Sequence, residues 1–202
     1  MTSDPPSSLL LRPPRAAEAE LYAEWWSDPE VQWGFCAEPR SADQIRSALP
    51  ELESEARSAG HWTELVIEVD GRPVGSVWVS HWDLDSASCE LNILIGSPAD
   101  RGRGIGSRAL TLFARWAFPR MGLRRALLCP RDDHYPAIRA YRRLGAALGD
   151  IAPDVMTWRG EVACFREMEL SLEMLPATHP GDRLLGEYRP NEPGPREAAK
   201  EN

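Results

Sequence analysis

No apolar run in this 202-residue chain approaches the roughly 20 residues that a membrane span requires. Its first residues, Met1-Thr-Ser-Asp-Pro-Pro6, lack the basic-then-apolar pattern of a secretion signal. The expected setting is the cytoplasm, with no membrane partner. The four cysteines, Cys36, Cys89, Cys129 and Cys164, include no C-x-x-C pair. That argues against a disulfide framework or a zinc site. Cys129 therefore reads as a small buried hydrophobe, although it ends a strand next to the loop discussed below. Three histidines of the body, His61, His81 and His134, show no metal-ligand spacing, so no metal is expected. His61 precedes a strand and His81 ends one, so both read as structural or exposed. Positive charge is in deficit as well. The formal net charge is −8, and the segment Pro176 to Asn202, with five acids against four bases, carries little of it. Nucleic acid is excluded as a bulk partner, while a cationic substrate is permitted. There is no internal repeat.

What remains is an ordinary globular composition, 43% apolar and 27% charged, at a length that suits one domain. Residues 1–8 read as a loose leader, 9–175 as the domain, and 176–202, rich in Pro and Gly, as a disordered tail. Leu9 to Arg12 reads as a strand. Ala16 to Ser27 reads as a helix with Ala17, Leu21 and Trp25 on one face. A second helix is expected over Ala42 to Ala59, with Ile45, Leu49 and Leu52 inward and a break or kink at Pro50. Trp62 to Val69 and Pro73 to Ser80 form a hairpin joined by Asp70-Gly71. Ser88 to Ile95 is the central strand. The helix Gly104 to Arg120 buries Ile105, Ala109, Leu112, Phe113 and Trp116, leaving Arg108 and Arg115 as solvated surface. A strand at Arg125 to Cys129, a helix at Tyr135 to Leu144, and a final hairpin of Asp154–Trp158 with Val162–Leu172 complete the chain. Hairpins flanking an alternating centre predict a mixed α/β sheet.

The most informative stretch is Arg101-Gly102-Arg103-Gly104-Ile105-Gly106, set between the central strand and the long helix. Glycines let the backbone come close to a ligand and adopt positive φ. The free N–H groups of a first helical turn attract an anion, and arginines add charge. A P-loop would need Gly-Lys-Ser/Thr, and the chain has Gly-Ile-Gly-Ser. A dinucleotide fingerprint would need G-x-G-x-x-G in a first strand–helix unit, and the spacing here is G-x-G-x-G in mid-chain. The Arg-x-x-Gly-x-Gly pattern resembles the acetyl-CoA pyrophosphate loop of the GNAT N-acetyltransferases. Downstream, Ala137-Ile138-Arg139-Ala140-Tyr141 and Gly145 match the family's next helix. His134 stands where the family has Asn, and Ala146 where it has Phe. Trp116-Ala-Phe118-x-x-x-Gly122-Leu123 resembles the branch of ribosomal-protein, spermidine and aminoglycoside 6'-N-acetyltransferases.

The resemblance implies a GNAT-like (acyl-CoA N-acyltransferase) α/β fold, a mixed, mostly antiparallel central sheet flanked by helices. It implies acetyl-CoA as cosubstrate and transfer of an acetyl group to a primary amine by direct attack on the thioester. Cofactor binding falls to Arg101, Gly102, Arg103, Gly104, Ile105, Gly106, Ser107 and His134, with the backbone of Ile93, Leu94 and Ile95 along the pantetheine arm. The family geometry also splays the central strand from the next one. Tyr141 matches the family's acid, which protonates the thiolate; it also shares a packing face with Ala137 and Ile138. Glu90, mid-strand in an apolar segment, is the candidate base. Proton removal through ordered water stays open beside it.

The acceptor is less constrained. Trp25, Trp26, Asp28, Trp33 and Trp82 are the expected acceptor residues, since indole faces and nearby acids suit an ammonium group. This points to a small cationic amine, aminoglycoside- or polyamine-like, which in the aminoglycoside case would mean antibiotic resistance. Glu24-Trp-Trp-Ser-Asp-Pro-Glu-Val31 resembles a stretch shared by aminoglycoside 6'-N-acetyltransferases and ribosomal-protein enzymes, so a protein N-terminus stays open, as does a non-catalytic acetyl-CoA sensor. The expected assembly is a monomer or homodimer.

Overall fold

A two-residue turn sets the register at the centre of the sheet. Asp70 and Gly71 both take positive φ, 50° and 78°, the geometry that continues the twist of two antiparallel strands. The strands it joins are β2 (Glu64–Val69) and β3 (Arg72–Asp83), and β3 continues into β4 (Ser88–Ile95). The computed structural model describes residues 8–48, 64–83, 85–152, 154–157 and 159–184. The expectations for the leader, for Leu49, Pro50, Leu52, His61 and Trp62, and for the chain after 184 lie outside these residues.

Among the described residues, eight strands form one sheet in the order β10-β1-β2-β3-β4-β5-β9-β6. β1 (Leu9–Arg12), β5 (Arg125–Leu128), β6 (Ala147–Ile151), β9 (Arg166–Ser171) and β10 (Asp182–Leu184) join the central three. Pairing is parallel for β1 with β10 and for β4 with β5, and antiparallel elsewhere. The expected mixed, mostly antiparallel sheet is thus found. The expected final hairpin is found at its turn, but it is shorter than expected. Val155–Met156 (β7) pairs with Val162–Ala163 (β8) in a separate ribbon, while β9 crosses to β5 and β6.

Helices cover both faces. α4 (Ile105–Met121) lays Ile105, Ala109, Leu110, Phe113, Ala117 and Phe118 on one face. That stripe is wider than the expected one, and Leu112 and Trp116 sit at its half-buried margin. The other face receives α1 (Ala19–Ser27), α2 (Pro29–Phe35) and α3 (residues 42–48). Its core is Ala19, Tyr22, Trp25, Val31 and Ile45 against Val66 and Leu94. The expected inward face of the first helix is corrected. Residues 16–18 form a 3₁₀ turn, which shifts the buried positions from Ala17 and Leu21 to Ala19 and Tyr22. α5 (Tyr135–Arg143) follows β5.

The chain after Pro176 also differs from the expectation of a disordered tail. Residues 182–184 make β10 beside β1. Asp182, its side chain 1% exposed, pairs with Arg108. Arg115 donates to the carbonyls of Leu175 and Pro176 at 2.7 and 2.8 Å. Neither arginine is the solvated surface expected of it.

Candidate active site

Parallel β4 and β5 pair only over Ser88–Glu90 and Arg125–Leu127. Beyond Glu90 they part, and Leu91 to Ile95 have no ladder partner on that side among the described residues. The opening is a cleft of about 730 Å³. This is the splay that the family resemblance implied. It leaves free backbone N–H and C=O groups along one edge of β4, where they must find a partner.

At one end the cleft meets the glycine loop. Gly102 and Gly104 have φ of 72° and 78°, and a Cβ added at either would meet nothing within 4 Å. Only the missing side chains keep this concavity open. Gly104 caps α4, a helix of 17 residues. Its first N–H groups therefore point into the cleft without helical acceptors. The loop arginines are held by acids. Arg101 reaches Glu30 at 2.5 Å and Asp28 at 3.3 Å, and also donates to the carbonyls of Ile95 and Gly96. It still lines the cleft, but its charge also ties the loop to α2. Arg103 does not line the cleft and pairs with buried Asp100 at 3.0 Å. Asp100 also takes both N–H arms of Arg72 at 2.8 Å, which, against the opposing effect of burial, holds its carboxyl below the usual range.

The other expected cofactor residues, Ile93, Leu94, Ile95, Ile105, Gly106, Ser107 and His134, all line the cleft. His134 precedes α5, and its ring meets the edge of Trp33 at 5.1 Å. Burial lowers its pKa and favours the neutral imidazole. Two residues not expected from the sequence also line the cleft: Arg139 and Arg143, one turn apart on α5. Neither has an acid partner among the described residues. Their i, i+4 spacing was a readable sign.

Tyr141 and Glu90 both line the cleft where the strands part. Tyr141 lies within electrostatic reach of Cys129 and Glu90, and burial pushes its phenol upward. It thus stays protonated at neutral pH and can donate. Cys129 is likewise pushed by burial, to about 11, so it remains a thiol and a poor nucleophile. Glu90 is held in a chain of contacts. Its Oε2 lies 2.7 Å from His81 Nδ1 and accepts from Ser80 Oγ at 3.4 Å; Asn92 Nδ2 in turn donates to Ser80 Oγ at 2.9 Å. His81 is not merely a strand end. It has φ of 48° within an irregular stretch of the β3–β4 ladder, while its ring stays exposed.

None of the five expected acceptor residues lines the cleft. Trp25 is buried under Gly96, where a Cβ would collide with the indole at 2.0 Å. Asp28 caps α2, accepting from the N–H groups of Glu30 and Val31. Trp33 backs His134 and lies under the Arg131 guanidinium at 4.5 Å. Trp82 packs against the main core. Trp26 packs with Phe35 and Trp78 at the edge of a separate, smaller cavity. On its α2 side the cleft is lined instead by Val31, Gly34 and Phe35, and Asn92 lines it from β4. α2 itself was not expected.

The family model described as Acetyltransferase (GNAT) domain matches residues 8–147. The chain belongs to the GNAT acetyltransferase family. As such it is an acetyl-CoA-dependent acetyltransferase. No curated protein sequence matches it. Among solved structures, GNAT folds superpose well. Spermidine N-acetyltransferase from Vibrio cholerae, in complex with CoA and spermine, is 18% identical, with a TM-score of 0.65, over 83% of this chain and 98% of that one. The ribosomal L7/L12 alpha-N-protein acetyltransferase is 14% identical at a TM-score of 0.69, over 85% and 92%. The microcin C7 self-immunity acetyltransferase, in complex with acetyl-CoA and AMP, is 13% identical at 0.69, over 82% and 93%. At these identities the likeness establishes the fold alone. This GNAT protein has no described helix long and apolar enough to cross a membrane.

Proposed function

We propose that this protein transfers the acetyl group of acetyl-CoA to a primary amine of a small cationic molecule. The observation that carries the reading is the cleft. It joins an open glycine cradle at a helix N-terminus, an unpaired strand edge, and a Glu90–Tyr141 pair where the strands diverge. The cradle suits a diphosphate, and the strand edge suits the amides of a pantetheine arm. Arg139 and Arg143 supply cationic charge that no acid of the described chain neutralises.

The chemistry needs an amine without its proton, a stabilised oxyanion, and a proton for the departing thiolate. Glu90 takes the ammonium proton, and the exposed His81 in contact with it offers an exit to water. A free N–H on the β4 edge faces the developing oxyanion. Tyr141, kept protonated by burial, donates to the sulfur. His134 contributes a neutral imidazole to the cofactor wall, in place of the family's Asn.

Isothermal titration with acetyl-CoA tests the cofactor half, and absence of binding by folded protein would defeat it. Thiol release over aminoglycosides, polyamines, amino acids and N-terminal peptides tests the acceptor. Reaction with peptides alone would assign a protein N-terminus instead. Binding without any turnover would assign a sensor. For Tyr141→Phe we expect kcat to fall about 10- to 1000-fold, within and somewhat below the usual contribution of a general acid, with little change in acetyl-CoA affinity. Equal kcat would remove Tyr141 from the reaction.

A further inference from the structure

Asn92 stands in a cross-strand row with Trp78 and Glu64. All three side chains share the sheet face covered by α1 and α2, because side chains alternate along each strand. Asn92 opens on the cleft. Glu64 and Trp78 line a second cavity of about 130 Å³, together with Tyr22 and Trp26 of α1 and Arg40. One aromatic pair separates the two spaces. Phe35, which lines the cleft, stacks on Trp78 with ring centroids 5.4 Å apart.

The chemistry of the smaller cavity is specific. A buried carboxyl is costly unless a cation or several hydrogen bonds meet it. Burial pushes Glu64 above its ordinary range, with Tyr22, Ser76 and Arg40 opposing the shift. The Tyr22 hydroxyl, on a side chain 4% exposed, is buried and outside hydrogen-bond geometry with any described residue. Two indoles complete the walls, and the face of one already takes a cation. The exposed Arg40 guanidinium sits 5.1 Å over Trp26 and acts on Glu64 electrostatically from there. A carboxyl, a phenol and indole faces together suit an ammonium group. The small volume suits an ammonium on a methylene chain rather than a sugar ring.

The spacing to the reaction centre then selects the ligand. Glu64 and Glu90 are two strand spacings apart across the sheet and two residues apart along it, about 12 Å between backbones. An extended triamine spans this distance, and a four-carbon diamine does not. A ligand reaching both would have to pass the Phe35–Trp78 pair that separates the two spaces, and the faces of those rings suit methylenes.

We propose that the cavity formed by Glu64, Tyr22, Trp26 and Trp78 is a subsite for the distal ammonium group of a linear polyamine whose other end lies at Glu90 and Tyr141. The placement of that other end rests on the small-amine reading above; the cation subsite does not. The test is calorimetric titration of spermidine, putrescine and butylamine into the full chain. Spermidine should bind the unaltered protein at least tenfold tighter than butylamine. Glu64→Gln should weaken spermidine about tenfold and close most of that gap. Arg40→Ala, at an exposed site that leaves the fold intact, should tighten spermidine by removing the resident cation from Trp26. Equal spermidine affinity in the unaltered protein and Glu64→Gln, no tightening in Arg40→Ala, or no spermidine binding at all would overturn the subsite. Thiol release is read separately. Spermidine that binds in a Glu64-dependent way but is never acetylated would keep the subsite and remove the acceptor reading.

Discussion

At the scale of single residues, Glu64 shows how a site can work against stability. Its carboxyl is raised above the ordinary value of 4.5, chiefly by burial. A raised carboxyl binds its proton more tightly in the folded state than in the unfolded one. Stability is therefore greatest below the unfolded value and declines as pH rises toward the folded one, where the unfolded chain ionises first. Glu64→Gln removes the ionisation and keeps the shape. We expect it to raise the melting temperature at pH 7, with the gain shrinking toward pH 4. A thermal melt series over that range checks it, and an unchanged gap would mean Glu64 ionises without cost in the folded protein. Stabilisation together with weaker spermidine binding would separate function from fold at one position. The place of Glu90 in the central strand was legible from the sequence. The partnership with His81 was not, because it depends on a ladder irregularity and a left-handed φ that no residue type announces.

At the scale of elements, the hairpin, the central strand, α4 and the glycine loop could all be read, since each carries a strong local signal. Asp70-Gly71 demands its turn, and the period of α4 is clean. The surroundings of the tryptophans could not be read. A tryptophan signals burial but not which surface will bury it. Trp25 found the bare backbone of Gly96, far along the chain. The loop arginines mislead in a related way. Arg-x-x-Gly-x-Gly promises two free charges, yet Asp28, Glu30 and Asp100 claim them. The uncompensated cations along the cleft lie on α5. We therefore expect Arg139→Glu with Arg143→Glu to weaken acetyl-CoA binding about 10- to 100-fold. That is the loss of two exposed charge contacts and their reversal, at roughly 1 kcal/mol each or somewhat more. The loss should shrink in high salt, because exposed charges are screened. Calorimetry at two salt concentrations reads both effects. Undiminished affinity at low salt would return the anion-binding role to the loop alone.

At the scale of the whole molecule, the described chain beyond Leu175 packs back on the sheet and α4. Composition alone could not show this, because Pro and Gly are as frequent in the segment that folds back as in a loose tail. What secures that segment lies in α4, where Arg115 takes the carbonyls of Leu175 and Pro176 and Arg108 takes Asp182. Both partners look like surface residues in the periodicity of α4, and only the returning chain covers them. Asp182 is nearly inaccessible, and Arg108 is 16% exposed. Removing the acid takes one carboxylate from a guanidinium at a largely buried place, and losses of up to about 3–5 kcal/mol are known for such broken pairs. The same helix begins at Gly104, so the C-terminal strand braces the first turn that borders the cleft. Asp182→Ala should therefore lower the melting temperature and also weaken acetyl-CoA binding, although the residue lies outside the cleft. Asp182→Asn, which keeps a hydrogen-bond acceptor for Arg108, should recover part of both. If the melting temperature falls in Asp182→Ala while acetyl-CoA affinity stays the same, then the C-terminal strand supports the sheet edge at β1 and has no hold on the first turn of α4.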